Sequence, residues 1–102
     1  MFEINNEKWY IKFTNPFNNI FLMENGDYTV GTCDDPTKTI YLADTLKGKK
    51  LKKVLCHEIV HAAMFSYDVD LNYQQEELLA NIIATYGEEI LKITNDIFKR
   101  LR

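Results

Sequence analysis

Both histidines of this 102-residue chain stand in one five-residue run, His57-Glu58-Ile59-Val60-His61. On a helix, positions i and i+4 lie one turn apart on the same face. Two imidazoles so placed can bind one metal ion, and zinc is the ion this pattern implies. Glu58 projects beside them and can hold the water that such an ion activates. A catalytic zinc also needs a third protein ligand and an open position for water. No third histidine exists. Cys33 is expected on a strand across the sheet, and Cys56, next to His57, points about 100° away around the helix. A carboxylate is therefore the natural third ligand, giving a His2Glu set. The candidates are Asp68, Asp70, Glu76 and Glu77. Glu77 is preferred and Glu76 is the runner-up. Asn81 lies one turn beyond Glu77 on the same face, where it can accept a hydrogen bond from the non-metal nitrogen of a ligand histidine.

The elements that must position these side chains are legible from periodicity. Leu51, Leu55, Ile59 and Ala62 recur at three- to four-residue spacing, which predicts a helix over about residues 49–66 with Asp44 or Thr45 as its cap. A polar connection follows, then a second helix over about residues 74–100 with Leu79, Ile82, Ile83, Tyr86, Ile90, Ile93 and Ile97 as its apolar stripe. Such a helix would be about 40 Å long, so a break near Gly87 or an overhanging end is expected. Before residue 45 the chain reads as strands and turns: residues 8–13, 28–33 and 39–43 are strand candidates, separated by Asn15-Pro16, Asn25-Gly26 and Asp35-Pro36. The last two should form an antiparallel hairpin. The expected fold class is α+β: a small antiparallel sheet of about three strands followed by two long helices, within one domain over residues 1–102. The strand at 39–43 is a plausible sheet edge over the cleft, able to hold an extended peptide.

Composition narrows the partners. The chain has 46% hydrophobic residues, and no run approaches the 18 apolar residues of a membrane span. Acids near the N-terminus (Glu3, Glu7) stand where a signal peptide needs positive charge, so the expected location is the cytoplasm. A net charge of -3 argues against direct nucleic-acid binding. Lysines 47, 49, 50, 52 and 53 form the one basic cluster, read as a solvated helix face. Cys33 and Cys56 make no CxxC pair and read as free thiols.

The chemistry this arrangement supports is hydrolysis of a peptide bond. Glu58 takes a proton as water attacks the carbonyl and passes it to the leaving amine. A further donor should stabilise the oxyanion; Tyr67, Tyr73 and Tyr86 are the available phenols. Competing readings are a zinc-binding but non-catalytic module that binds a protein partner, a metal-free helix face, and a nucleic-acid binder using the lysine cluster. A monomer or a weak homodimer is expected.

Three longer passages carry a family resemblance. Thr39-Ile40-Tyr41-Leu42-Ala43-Asp44 precedes Leu46-Lys47-Gly48. His57-Glu58-Ile59-Val60-His61-Ala62 follows, and then Glu77-Leu78-Leu79-Ala80-Asn81-Ile82-Ile83-Ala84. Together these resemble the strand, first motif and second motif of the ImmA/IrrE-like zinc metallopeptidases, in particular their short, phage-encoded forms. The run Ala84-Thr85-Tyr86-Gly87-Glu88-Glu89-Ile90 is similar to the ending of those forms, where larger relatives continue with a Leu-Leu-Met-Pro type segment. The resemblance spans about residues 28–92. It implies a minimal zincin-like fold, zinc held by His57, His61 and Glu77, and Glu58 as the catalytic base. It further implies a protein substrate such as a phage or mobile-element repressor.

Overall fold

The computed structural model describes residues 1–101. The chain is α+β, with a four-stranded mixed sheet followed by two helices. The strands are β1 (Phe2–Ile4), β2 (Glu7–Thr14), β3 (Gly31–Asp34) and β4 (Thr39–Ala43); the helices are α1 (Gly48–Ser66) and α2 (Tyr73–Leu101). Across the sheet the order is β1-β2-β4-β3.

Three expectations about the sheet need correction. First, there is a fourth strand. β1 is only three residues long, too short to show a period, and it folds back on β2 through Asn5 and Asn6, both at positive φ (50° and 64°). Asparagine tolerates that conformation, and two such residues in succession suit a tight hairpin. Second, the sheet is mixed. β3 and β4 form the expected antiparallel hairpin, but β2 runs parallel to β4, from Tyr10↔Thr39 to Thr14↔Ala43. The excursion over residues 15–30, with one 3-10 turn at Asn19–Phe21, carries the chain past β4's position, and β3 becomes the outer strand. Third, β4 is therefore interior, with Ile40, Leu42 and Ala43 all buried, and the edge strand beside the helices is β3. A mostly apolar strand reads alike in either place. The predicted strand at 28–33 starts only at Gly31; Tyr28 makes an isolated bridge to Leu22.

α1 packs on the sheet through the stripe its spacing implies. Ala62 is fully buried, and Leu51, Leu55 and Ile59 pack against the core of Trp9, Phe21, Ile40, Leu42, Ala43 and Leu46. Its far end is pinned to the first hairpin. Trp9 Nε1 donates to Ser66 Oγ at 2.7 Å, and Asn5 Nδ2 donates to the Ser66 carbonyl at 2.9 Å. Its start departs from expectation: the cap position is Lys47, with no side-chain hydrogen bond, rather than Asp44 or Thr45. Lysines 47, 49, 50, 52 and 53 are all exposed.

α2 opens on a reciprocal cap. The Gln75 amide donates to Asn72 Oδ1 at 2.8 Å, and the Asn72 amide donates to Gln75 Oε1 at 3.1 Å. This satisfies donors that a helix start otherwise leaves orphaned. Ala80 is fully buried, and its small side chain lets the two helices approach. α2 does not break at Gly87; it continues for 29 residues and gives the molecule its 51 Å long axis. Among the described residues, no helix is long and apolar enough to cross a membrane.

Candidate metal centre

α1 and α2 lie side by side and bring three predicted ligands to one point. The connection between them is short, and the cap at Asn72 fixes where α2 starts, so Glu76 and Glu77 fall in its first turns opposite His57 and His61. His57 Nε2 and His61 Nε2 are 3.1 Å apart. Glu77 Oε2 lies 3.3 Å from His57 Nε2, and Glu77 Oε1 lies 2.7 Å from His61 Nε2. One donor atom from each of these residues falls within 4.8 Å of the others.

These separations are short enough for the three residues to hold one small ion. Zinc bonds of about 2.0–2.1 Å place tetrahedral ligand atoms about 3.3 Å apart. The Nε2–Nε2 separation of 3.1 Å is close to that value, and Glu77 meets the two rings through different oxygens, Oε2 at 3.3 Å and Oε1 at 2.7 Å, so its carboxylate spans both nitrogens. Two imidazoles and one carboxylate are donors of the kind zinc accepts. The cluster lines a cleft of about 360 Å³ that is also lined by β3 residues Gly31, Thr32 and Cys33 and by Met23, Phe65 and Tyr73.

Glu58 is placed differently from the ligands. It is 7% exposed and lines the same cleft beneath β3. Burial pushes its carboxyl up to about 7; His61 opposes the rise and Glu77 adds to it. A carboxyl poised near neutrality can both accept and return a proton. Space for it comes from Gly31. A Cβ at Gly31 would stand 2.7 Å from Val54 Cγ1 and 3.3 Å from Glu58 Cγ and Oε2. Gly31→Ala is therefore expected to push α1 off β3 and cost about 1–3 kcal/mol. A fall in the urea unfolding midpoint measures this, and an unchanged midpoint would mean that α1 does not sit so close.

The other candidates sort by position. Glu76, the runner-up ligand, stands outside the donor cluster: its Oε2 lies 3.4 Å from His61 Nδ1, the nitrogen turned away from the ligand atoms. It thus stands beside a histidine ring nitrogen, where the sequence suggests Asn81, whereas Asn81 itself is exposed. Carboxylates beside the non-metal nitrogen orient a ligand imidazole and raise its basicity. Asp68 and Asp70 are exposed in the connection, outside the cluster. Of the three tyrosines, Tyr73 lines the cleft; Tyr67 and Tyr86 do not. Cys33 sits at the cleft wall rather than across the sheet. Burial, followed by Glu58, pushes its thiol up to about 12, and it stands outside the His57, His61 and Glu77 group.

Gly31, Met23, Phe65, Thr29 and Thr32 are the cleft residues that sequence reasoning missed. A glycine inside an otherwise alternating strand was the available sign, since it marks close backbone approach. Nothing local distinguishes Met23 and Phe65 from core residues. No protein-family model, curated protein or solved structure matches the chain, so its chemistry has to be argued from the site itself.

Proposed function

We propose that this protein is a zinc-dependent metallopeptidase that cleaves an extended segment of a protein substrate. The observation that carries the proposal is the convergence of His57, His61 and Glu77, one donor atom from each within 4.8 Å of the others, beside a buried carboxyl, Glu58. The ImmA/IrrE-like resemblance of the same residues supports it. By that resemblance the substrate is a transcriptional repressor of a phage or mobile element. Cytoplasmic action would follow from such a substrate.

The residues divide the work. His57, His61 and Glu77 would hold the ion, and Glu76 would keep the His61 ring in orientation. When bound, zinc supplies a Lewis acid that polarises the scissile carbonyl and lowers the pKa of its water. Glu58 accepts the proton of the attacking water and returns it to the leaving amine. The free edge of β3 offers main-chain groups to a substrate strand, so a peptide adding there would run past Glu58. Tyr73, which lines the cleft, is the phenol available to donate to the developing oxyanion.

The test is a zinc titration against a chromophoric chelator, followed by incubation of the loaded protein with casein and with the product of the adjacent gene. One zinc per chain and chelator-sensitive cleavage are expected. Stoichiometric binding without cleavage of either substrate would favour the rival reading, a zinc-holding module that binds its partner intact. No binding at neutral pH would remove both.

A further inference from the structure

The second half of α2 projects from the body. At its start the Lys52 Nζ–Glu88 Oε2 pair, 2.8 Å, ties it to α1, and from Glu88 to Leu101 every residue is exposed. Yet its pattern is that of a packed helix. Ile83, Tyr86, Ile90, Ile93 and Ile97 recur at alternating three- and four-residue steps, the seam of a heptad with isoleucine at each a position. Ile82 and Leu101 widen the stripe. Ile90 is 54% exposed, Ile93 50% and Ile97 45%. A helical segment of about 14 residues with no packing partner is marginal in water, so its apolar face calls for a cover.

Three observations point to a second copy of this chain as that cover. The exposed fractions of the seam together with Ile82 and Leu101, which share its face, amount to on the order of 700 Å², near the roughly 800 Å² each partner buries in a stable interface. The segment balances Glu88, Glu89 and Asp96 against Lys92, Lys99 and Arg100, so two copies meet without net repulsion. That balance also separates it from a membrane-surface helix, whose polar face is rich in Lys and Arg. A two-fold pairing needs only one patch that complements itself, and an isoleucine-rich heptad seam is such a patch.

We propose that the protein dimerises through α2, with the Ile83-Tyr86-Ile90-Ile93-Ile97 seam of each copy packed on the other. Sedimentation equilibrium on the full chain over about 1–100 µM tests this, with affinity expected in the micromolar range. The wild type should approach twice the 12.0 kDa monomer mass. The Ile90→Lys/Ile93→Lys variant should weaken association at least about tenfold, with zinc binding retained because the site lies at the other end of α2. Asn95→Lys adds charge on the opposite face and should leave association unchanged. A wild type that stays monomeric at the highest concentration overturns the proposal, whether or not α2 then captures a different protein. A dimer indifferent to the paired lysines overturns it too.

Discussion

Glu58→Gln is expected to keep one zinc per chain and to lower the rate of peptide hydrolysis by about 10²–10⁴-fold, the usual share of a positioned acid–base group. The substituted amide has nearly the same shape as the carboxyl, and the three donor atoms at His57, His61 and Glu77 would be untouched. What is lost is the ability to take and return a proton. Full hydrolysis by this variant would remove Glu58 from the mechanism. The same substitution has a second, independent readout in the metal-free protein. The folded carboxyl is raised from 4.5 to about 7, mainly by burial. Between those values the folded chain keeps the proton and the unfolded chain has lost it. Stability therefore falls as pH rises through that window, by about 3 kcal/mol in total. The amide has no proton to lose. Glu58→Gln should thus gain on the wild type as pH rises from 4.5 through about 7, as measured by urea unfolding at each pH. A gap between the two proteins that does not change with pH would mean that the carboxyl is hydrated in solution.

Glu77→Ala is expected to weaken zinc binding by more than about 100-fold, whereas Glu76→Ala should cost about tenfold, at the lower end of the range for groups that support a ligand. The distances set this order. Glu77 reaches both Nε2 atoms, at 3.3 and 2.7 Å, while Glu76 reaches only Nδ1 of His61, at 3.4 Å. Asn81→Ala should leave affinity unchanged, because Asn81 faces solvent. Competition with a chelator at neutral pH gives all three numbers from one assay. If Glu76→Ala proved the more damaging, the ligand assignment would pass to Glu76.

The helices were readable because each carries a long stripe at helical spacing and because both histidines are spent on a single turn. That Glu77 joins the histidines follows the family resemblance, whereas the support expected from Asn81 does not materialise, since Asn81 is exposed. The role of its neighbour Glu76 was not readable. The choice between ligand and supporting carboxylate depends on which face of α2 meets α1, and that is set by packing at Ala80 rather than by local pattern. The cap at Asn72 and Gln75 was present as an Asn-x-x-Gln signature within a segment read simply as polar connection. Parallel pairing of β2 with β4 had no local signal at all, since β-strand patterns record burial but not the neighbour. The site's floor shared that limit. Gly31 matters because α1 crosses it, and the residues it makes room for, Val54 and Glu58, are more than 20 positions away.

The donors also divide the folding problem unevenly. His57, His61 and Glu77 all lie on the two-helix hairpin, and none comes from the sheet. Bringing them together closes a loop of only about 20 residues, which costs little chain entropy. The parallel ladder of β2 and β4 must instead join Tyr10 to Thr39 around a longer excursion, the kind of pairing that slows folding. An ion bound to the hairpin would therefore be held by the part of the chain with the lowest contact order. Only the sheet, arriving later, would wall off Glu58 and give the hairpin a surface on which a substrate could lie.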